Sequence, residues 1–207
     1  PVHRRSLLKK GEGLADDIFK PLGTIQGDVG IAHTRYKTYG LGGTDNAQPF
    51  VDSIAGMALA HNGHITNVAQ IEGELKRRGQ ALAAQCDAEA LLRVLVLWFE
   101  SYRTRDPGAS EPELMFRAIA EVQRRVTGAY SAVVTTRSGL YAFTDPHGFR
   151  PMVRGLRDRP HRRAVMVASE TLALEQNGFS VEREVPGGTA LFIDRSLAVD
   201  ERTLLQR

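Results

Sequence analysis

Two polar clusters stand where predicted strands end, and both contain residue types that can perform chemistry. The first is His33-Thr34-Arg35-Tyr36-Lys37-Thr38. The planar guanidinium of Arg35 suits a carboxylate, and a structural salt bridge is the alternative. The second is His61-Asn62-Gly63-His64, where the Asn62 amide and the Gly63 backbone N–H could stabilise an oxyanion. Asn-Gly is also a common turn dipeptide, so a plain turn is the other interpretation.

A carboxylate cluster and a proline-bounded loop complete the candidates. In Cys86-Asp87-Ala88-Glu89, Asp87 is placed to cap a helix, which is its default interpretation. A carboxylate at such a helix start could instead face an ammonium group. The segment Asp145-Pro-His-Gly-Phe-Arg-Pro151 is typical of a tight turn fixed by Pro and Gly, so we favour a structural role for it.

Composition excludes several classes of site. The single cysteine, Cys86, rules out a disulfide framework and an all-cysteine metal cage built from this chain. No spacing among the histidines resembles a zinc motif, so we expect no metal site. The net charge of +3 is small and the signs are interspersed, which predicts neither a nucleic-acid partner nor a membrane surface. The dense arginines between Arg157 and Arg163 are typical of a solvated hairpin loop.

These clusters must be positioned by strands in the first and last thirds of the chain and by helices between them. Strands are predicted at 3–10, 28–36, 55–60 and, from residue 128 onward, mostly in hairpins. Phe179–Val185 and Thr189–Asp194 should pair across Pro186-Gly-Gly188. Helices are predicted at 16–20, 67–79, 87–102, 112–126 and 170–177. Hairpins beside a block of helices indicate an α+β fold with antiparallel sheets covered by helices.

Seven segments, taken in order along the chain, resemble the class II glutamine amidotransferase domain, and among its families amidophosphoribosyltransferase most closely. Each segment alone is weak evidence for this family. Their shared order and their span from about residue 13 to 194 are specific evidence for it. The segments are Gly30-Ile-Ala-His-Thr-Arg-Tyr36, Asn46-Ala-Gln-Pro-Phe50, His61-Asn62-Gly63 with Asn67, Cys86-Asp-Ala-Glu89, Gly128-Ala-Tyr-Ser131, Asp145-Pro-His-Gly-Phe-Arg-Pro151 and Ala168-Ser-Glu170.

The resemblance implies a four-layer αββα fold of the N-terminal-nucleophile hydrolase type, with residues 1–207 as a partial amidotransferase domain. It implies hydrolysis of glutamine to glutamate and ammonia, which the family uses to form phosphoribosylamine in de novo purine synthesis. Arg35, with Thr38 nearby, would bind the α-carboxylate of glutamine. Asp87 would hold its α-ammonium group, and Asn62 with the Gly63 N–H would form the oxyanion hole.

The same resemblance sets expectations beyond these residues. The nucleophile of the family is a cysteine at the mature N-terminus, so that cysteine and the first strand are expected upstream of Pro1. A phosphoribosyltransferase domain, which would use Mg²⁺, is expected after Arg207. The 207 residues alone should then release no ammonia, and Cys86 should not be catalytic. The resemblance also implies that the full protein is a homo-oligomer in the cytoplasm. It implies no cofactor in this chain.

Two features depart from the family pattern and leave other interpretations open. Lys37 stands where a small residue is expected, and Cys86 replaces a hydroxyl residue. Another class II amidotransferase, such as a sugar-phosphate or asparagine-forming type, would share the same polar clusters. A non-catalytic domain that binds glutamine or a partner is the second alternative.

Overall fold

The computed structural model describes residues 6–20, 27–35, 43–84, 86–160 and 162–205. Within these ranges the chain forms five α-helices, a short 3₁₀ turn at Thr44–Asn46 and nine strands. The helices are α1 (Ala15–Phe19), α2 (Val68–Arg77), α3 (Asp87–Arg105), α4 (Glu111–Arg125) and α5 (Thr171–Gln176). The strands are β1 (Phe50–Asp52), β2 (Met57–Ile65), β3 (Gly128–Thr135), β4 (Gly139–Thr144), β5 (Val153–Arg159), β6 (Arg162–Ala168), β7 (Ser180–Glu184), β8 (Thr189–Asp194) and β9 (Val199–Thr203).

The larger sheet has the order β1-β2-β3-β4-β8-β9, and its neighbouring strands are antiparallel. The β2–β3 pair is its longest, from Ala58↔Thr135 to Ile65↔Gly128. The predicted hairpin turn at Arg137-Ser-Gly139 joins β3 to β4. This sheet therefore places the second half of β2, which contains the His61-Asn-Gly63 cluster, beside the rigid β3.

Helices α2, α3 and α4 cover one face of this sheet. The apolar residues of α3 almost encircle it, and Leu91, Leu92 and Leu95 are at most 1% exposed. A helix that is apolar all round is expected to lie within a core. Helix α4 buries one face, and the Ser110 side chain caps it by accepting the Glu113 N–H at 3.4 Å. These helices and the strands beneath them share one apolar core.

The smaller sheet has the order β6-β5-β7. A separate cluster that includes Met152, Val185 and Leu191 lies between the two sheets. Helix α5 inserts Leu174 against Val153 and Phe179 on the outer side of the smaller sheet. The layers are therefore stacked in the order helices, larger sheet, smaller sheet and helix, with an apolar cluster between each neighbouring pair. This stacking confirms the predicted α+β, four-layer αββα architecture with antiparallel sheets.

Several strand predictions differ from the structure. Residues 6–10 and 27–35 form no strand, although the burial of residues 28–33 alternates. Alternation alone does not make a strand, which needs a hydrogen-bonded neighbour. The predicted hairpin across Pro186-Gly-Gly188 is also wrong, since β7 pairs with β5 while β8 pairs with β4 and β9.

The Pro186–Gly188 connection crosses from one sheet to the other. It is fixed there because Thr144 Oγ1 donates to the Pro186 carbonyl and the Gly188 N–H donates to the Asp145 carbonyl, both at 2.8 Å. A short glycine-rich connection can therefore change sheets instead of turning within one. Among the described helices, none has the length and apolar character needed to cross a membrane.

Candidate functional site

The His61-Asn62-Gly63 cluster lies inside strand β2 and is not the turn that its Asn-Gly pair could have formed. Asn62 pairs with Ser131 and Gly63 with Tyr130 of β3. Gly63 has φ +148°, and a Cβ placed on it would stand 2.0 Å from the Ala129 carbonyl oxygen. Only glycine allows β3 to approach so closely. The sequence therefore fixes the backbone around Gly63 by excluding a side chain.

The backbone N–H of Gly63 points away from β3. Tyr130, opposite Gly63, donates its N–H to the Asp145 carboxylate and accepts the Asp145 N–H at its carbonyl. Since hydrogen-bonded and non-bonded pairs alternate in an antiparallel ladder, Gly63 and Tyr130 are a non-bonded pair. The Gly63 N–H thus faces the opposite edge of β2.

Asn62 lines a cavity of about 480 Å³ between the two sheets. Its other polar lining residues include His33, Thr34, Ser131 and Glu170. Small-molecule sites commonly occupy about 300–1,000 Å³, so this cavity is large enough for an amino acid. The cavity lies between His33 and Thr34, which directly precede Arg35, and the polar half of β2.

Asp87 is the first residue of α3, and its carboxylate faces the end of β2. One oxygen, Oδ2, accepts the Ile65 N–H at 3.1 Å and lies 3.4 Å from His61 Nε2. The histidine contact is close but lacks hydrogen-bond geometry. The same oxygen lies 3.9 Å from His64 Nδ1. The predicted N-cap role is wrong, because Cys86 occupies the N-cap position of α3, without a side-chain capping bond, and Asp87 is bonded across to β2.

These contacts keep Asp87 ionised. Burial raises its pKa, but the His61 imidazole, the Ile65 N–H and the charge of His64 outweigh burial and lower the pKa to about 2. A carboxylate that accepts hydrogen bonds and faces positive charge is stabilised in its charged form. Asp87 is therefore an anion at neutral pH, as an ammonium-binding group must be.

Arg35 donates from Nη1 to the Asn46 carbonyl at 3.2 Å. Its charge opposes, without outweighing, the burial that raises the pKa of the Cys86 thiol. Thr38, expected beside Arg35, falls in 36–42 and so lies outside the described residues, as does Lys37. Asn62, Gly63 and Asp87 thus lie at one end of β2, where Asp87 bonds Ile65, whereas the bond of Arg35 to Asn46 does not by itself place it at that end, and of the four only Asn62 lines the cavity.

His33 and Cys86 are the two remaining titratable groups near this strand end. Burial lowers the pKa of His33, and the nearby charges of His61 and Arg35 lower it further against an opposing contact with the His61 backbone. Cys86 is 8% exposed, and burial followed by the Asp87 charge raises its thiol pKa despite the nearby Ala88 N–H and Arg35. His33 is thus neutral at pH 7, and Cys86 is a thiol.

Sequence reasoning assigned no role to Gln48, whose side chain bonds both backbone groups of His61. It also assigned none to the His61 ring, which touches Asp87. The segment Asn46-Ala-Gln-Pro-Phe50 was a signal for Gln48, since a polar residue between apolar ones beside a strand often has a backbone partner. Nothing local indicated the His61–Asp87 contact, because the residues are far apart in sequence.

Asp145 has the structural role expected for its loop. It is fully buried, and its carboxylate accepts four backbone N–H groups. Three come from His147, Gly148 and Phe149 within the loop, and one comes from Tyr130 on β3. Because Tyr130 lies opposite Gly63, this loop also supports the site.

Comparison with known proteins places this geometry in a family. The family model for the glutamine amidotransferase domain matches residues 33–176. The amidophosphoribosyltransferase of Escherichia coli (strain K12) is 38% identical over 192 residues, which is 90% of this chain and 37% of the relative. That of Pasteurella multocida (strain Pm70) is 35% identical over 197 residues, or 91% of this chain and 38% of the relative. The chain therefore spans somewhat over a third of the length of these curated relatives.

Solved structures show the same fold. A glutamine phosphoribosylpyrophosphate (PRPP) amidotransferase from B. subtilis, complexed with ADP and GMP, superimposes with a TM-score of 0.65 at 26% identity, over 84% of this chain and 34% of its own. A glutamine aminotransferase class-II domain protein from Silicibacter pomeroyi gives a TM-score of 0.52 at 20% identity, over 80% and 74% of the two chains, and shows the fold alone. Because the family model covers more than half of its residues, the chain belongs to the glutamine amidotransferase domain family.

Proposed function

We propose that this chain is the glutaminase part of an amidophosphoribosyltransferase. It would hydrolyse glutamine to glutamate and ammonia, and the ammonia would form phosphoribosylamine in de novo purine synthesis. The observation that carries the proposal is the end of β2, where Asn62 and the outward-facing Gly63 N–H lie within three residues of Ile65, whose N–H bonds the ionised Asp87. The names of the relatives support the choice of amidophosphoribosyltransferase within the family.

Two opposite charges would select the α-groups of glutamine. Asp87, with a pKa of about 2, offers a permanent anion to the α-ammonium group. Arg35 offers a planar fork to the α-carboxylate. Thr38 would add a hydroxyl beside Arg35. Simple amides lack both α-charges, so this pair would discriminate against them.

Asn62 and Gly63 would act on the other end of the substrate. When a nucleophile attacks the side-chain amide carbon, the carbonyl oxygen becomes an oxyanion. The Asn62 amide and the Gly63 N–H would donate hydrogen bonds to it. The C–N bond then breaks, the nitrogen gains a proton and leaves as ammonia, and water hydrolyses the acyl intermediate to glutamate. Donors fixed before the reaction stabilise the transition state without reorganising.

The nucleophile would be the N-terminal cysteine of the family and not Cys86. Cys86 is buried, and its thiol pKa is raised, whereas reactive cysteines have lowered pKa values and access to substrate. It also adjoins Asp87, at the ammonium end of the proposed substrate. We therefore infer that these 207 residues alone do not turn glutamine over.

The remaining parts of the proposal concern the natural protein. The ammonia would pass to a phosphoribosyltransferase domain on the C-terminal side of Arg207, and Mg²⁺ would be used there. The supporting observation is that the relatives are about two and a half times longer than the matched region. A homo-oligomer in the cytoplasm completes the proposal.

The test is glutamine-dependent release of ammonia and glutamate by the natural protein, with Asn62→Ala as the diagnostic variant. Since the oxyanion exists only in the transition state, kcat should fall by about 100-fold or more with little change in KM. Glutamine binding to the 207-residue chain, measured by calorimetry, should survive this substitution. A natural protein without glutaminase activity, or an Asn62→Ala variant that loses only binding, would contradict the proposal.

A further inference from the structure

Strand β1 stops pairing with β2 just before the proposed oxyanion hole. Its last pair is Phe50↔Leu59. At the next position that faces this edge, a side chain replaces the strand. Gln48 Oε1 accepts the His61 N–H at 2.6 Å, and Gln48 Nε2 donates to the His61 carbonyl at 3.1 Å. The Gln48 amide therefore makes the two bonds that a β1 residue would have made.

Beyond the Gln48–His61 contact, every second residue of β2 directs its backbone N–H and carbonyl toward the same edge. His61, Gly63 and Ile65 present their N–H groups to the same edge, because the direction alternates along a strand. Gln48 binds the first, and the Asp87 carboxylate binds the third. Gly63 lies between these two fixed points, and its N–H points to the same edge.

We propose that Gln48 is a positioning residue for the oxyanion hole. The inference rests on the proposed function, because it assigns the Gly63 N–H and Asn62 to the oxyanion. A continued β1 strand would hold His61 equally well, but its backbone would also cover Gly63. The side-chain amide fixes His61 without extending the β1 strand alongside Gly63.

The two Gln48–His61 hydrogen bonds hold the strand firmly because both residues are buried. Gln48 is 9% exposed and His61 is 4% exposed. If the Gln48 amide is removed, two buried backbone groups of His61 lose their partners, and this is unfavourable enough to move the strand or admit water. His61 directly precedes Asn62, so any such movement displaces the donors that must meet the oxyanion. Small displacements of catalytic donors cost large factors in rate.

A purely structural role for Gln48 would give a different kinetic result. Loss of packing would lower thermal stability and weaken substrate use in general. Loss of oxyanion positioning should lower kcat while leaving KM nearly unchanged, since glutamine in its ground state carries no oxyanion. The division between kcat and KM therefore separates the two roles.

Two variants in the natural protein test the proposal. Gln48→Met keeps the approximate shape and removes both hydrogen bonds, and kcat for glutamine hydrolysis should fall by roughly 10–100-fold with KM within about 3-fold. Gln48→Glu keeps the acceptor for the His61 N–H and removes the donor, so its kcat should lie between those of Gln48→Met and the unsubstituted protein. If Gln48→Met does not fold, Gln48→Glu alone decides.

Gln123→Met is the matched control. Gln123 is also buried and donates to a backbone carbonyl, that of Thr144, at 3.0 Å. It lies on α4 and bonds β4, not the outward edge of β2, so its substitution should leave kcat unchanged. Amide hydrogen exchange on the 207-residue chain gives a second readout, in which the His61 N–H should exchange at least about 10-fold faster in Gln48→Met.

The outcomes are distinct. An unsubstituted natural protein without glutaminase activity overturns the proposed function and, with it, this role. An active protein whose Gln48→Met and Gln48→Glu variants keep at least half of kcat overturns the role of Gln48 alone. So does an equal loss of kcat in Gln123→Met, or a loss confined to KM. A selective fall in kcat with faster His61 exchange establishes Gln48 as a positioning residue.

Discussion

The Asp87 carboxylate accepts the Ile65 N–H at 3.1 Å, although the two residues are 22 positions apart in the chain. The bond joins the first residue of α3 to the last residue of β2. It fixes the separation between the proposed ammonium-binding group and the proposed oxyanion donors. The extended length of glutamine limits the distance between these two ends, so the separation set by this hydrogen bond is a property on which the proposed activity depends.

The lowered pKa of Asp87 predicts a pH-dependent contribution to stability. Its folded pKa of about 2 lies below the ordinary value of 3.8, so its contribution is fully present above pH 4 and is lost as pH falls toward 2. After solvent screening, the contribution should be on the order of 1–2 kcal/mol. Urea unfolding between pH 5 and 2.5 should show the free-energy difference between the unsubstituted chain and Asp87→Asn shrinking with acid. A difference that stays constant would show that the contacts of Asp87 do not favour its charge.

Arg35→Lys should weaken glutamine use although it keeps the charge. A lysine ammonium is a point charge and cannot make the two-pronged contact with a carboxylate. We expect a loss on the order of 1–3 kcal/mol in kcat/KM, the range for hydrogen bonds to charged groups. Arg183→Lys is the control, because Arg183 pairs with Glu201 at 3.2 Å on the outer strand β7. Unchanged glutamine kinetics in Arg35→Lys would remove this residue from the site.

Gly63→Ala should destabilise the fold strongly. The new Cβ would stand 2.0 Å from the Ala129 carbonyl oxygen, and φ is +148°. Since backbone must move to relieve both, we expect at least about 3 kcal/mol lower free energy of unfolding. Gly73→Ala is the control in mid-helix α2, where the new methyl would meet only Arg77 Nη1 at 3.7 Å. The free energy of unfolding of Gly73→Ala should rise by up to about 1 kcal/mol. Similar denaturation midpoints for the two variants would refute the close approach of β3.

The parts of the fold that follow from local patterns were predictable. The periodicity of Leu91, Leu92 and Leu95 predicts a buried α3, and Pro112 predicts the start of α4. The exchange of sheets at Pro186–Gly188 was not predictable, because a glycine-rich connection looks the same whether it turns within a sheet or leaves it. Strand β9 was also missed, since most of its residues are polar and it lies at an edge.

The site shows the same division. The residue types at Arg35, Asn62, Gly63 and Asp87 indicated chemistry, and their family resemblance gave them roles. The sequence could not show in which direction the Gly63 N–H points. Whether the Gly63 N–H faces β3 or the open edge depends on the ladder register, which Tyr130 and its bonds to Asp145 determine. That information comes from contacts between residues far apart in the chain.

Cys86→Ser should leave glutaminase activity of the natural protein largely intact. Cys86 occupies the N-cap position of α3 without a side-chain capping bond and packs in the main core, with its sulfur 3.8 Å from Asp87 Oδ1. Serine is nearly isosteric, so the site should keep its shape while the fold loses about 1 kcal/mol from imperfect burial of the hydroxyl. The measurement is kcat and KM for glutamine beside the urea midpoint of each protein.

Thiol labelling of the 207-residue chain gives the complementary measurement. Burial and the adjacent Asp87 charge raise the pKa of the Cys86 thiol, and only the thiolate attacks electrophiles. Iodoacetamide at pH 7 should therefore label the folded chain slowly, and labelling should accelerate in urea as Cys86 becomes exposed. A glutamine-like electrophile should show no advantage over iodoacetamide, because Cys86 lies at the ammonium end of the proposed substrate and not beside its side-chain amide. Rapid labelling of the folded chain that free glutamine blocks, together with ammonia release that Cys86→Ser abolishes, would make Cys86 the nucleophile and reverse the assignment of the site.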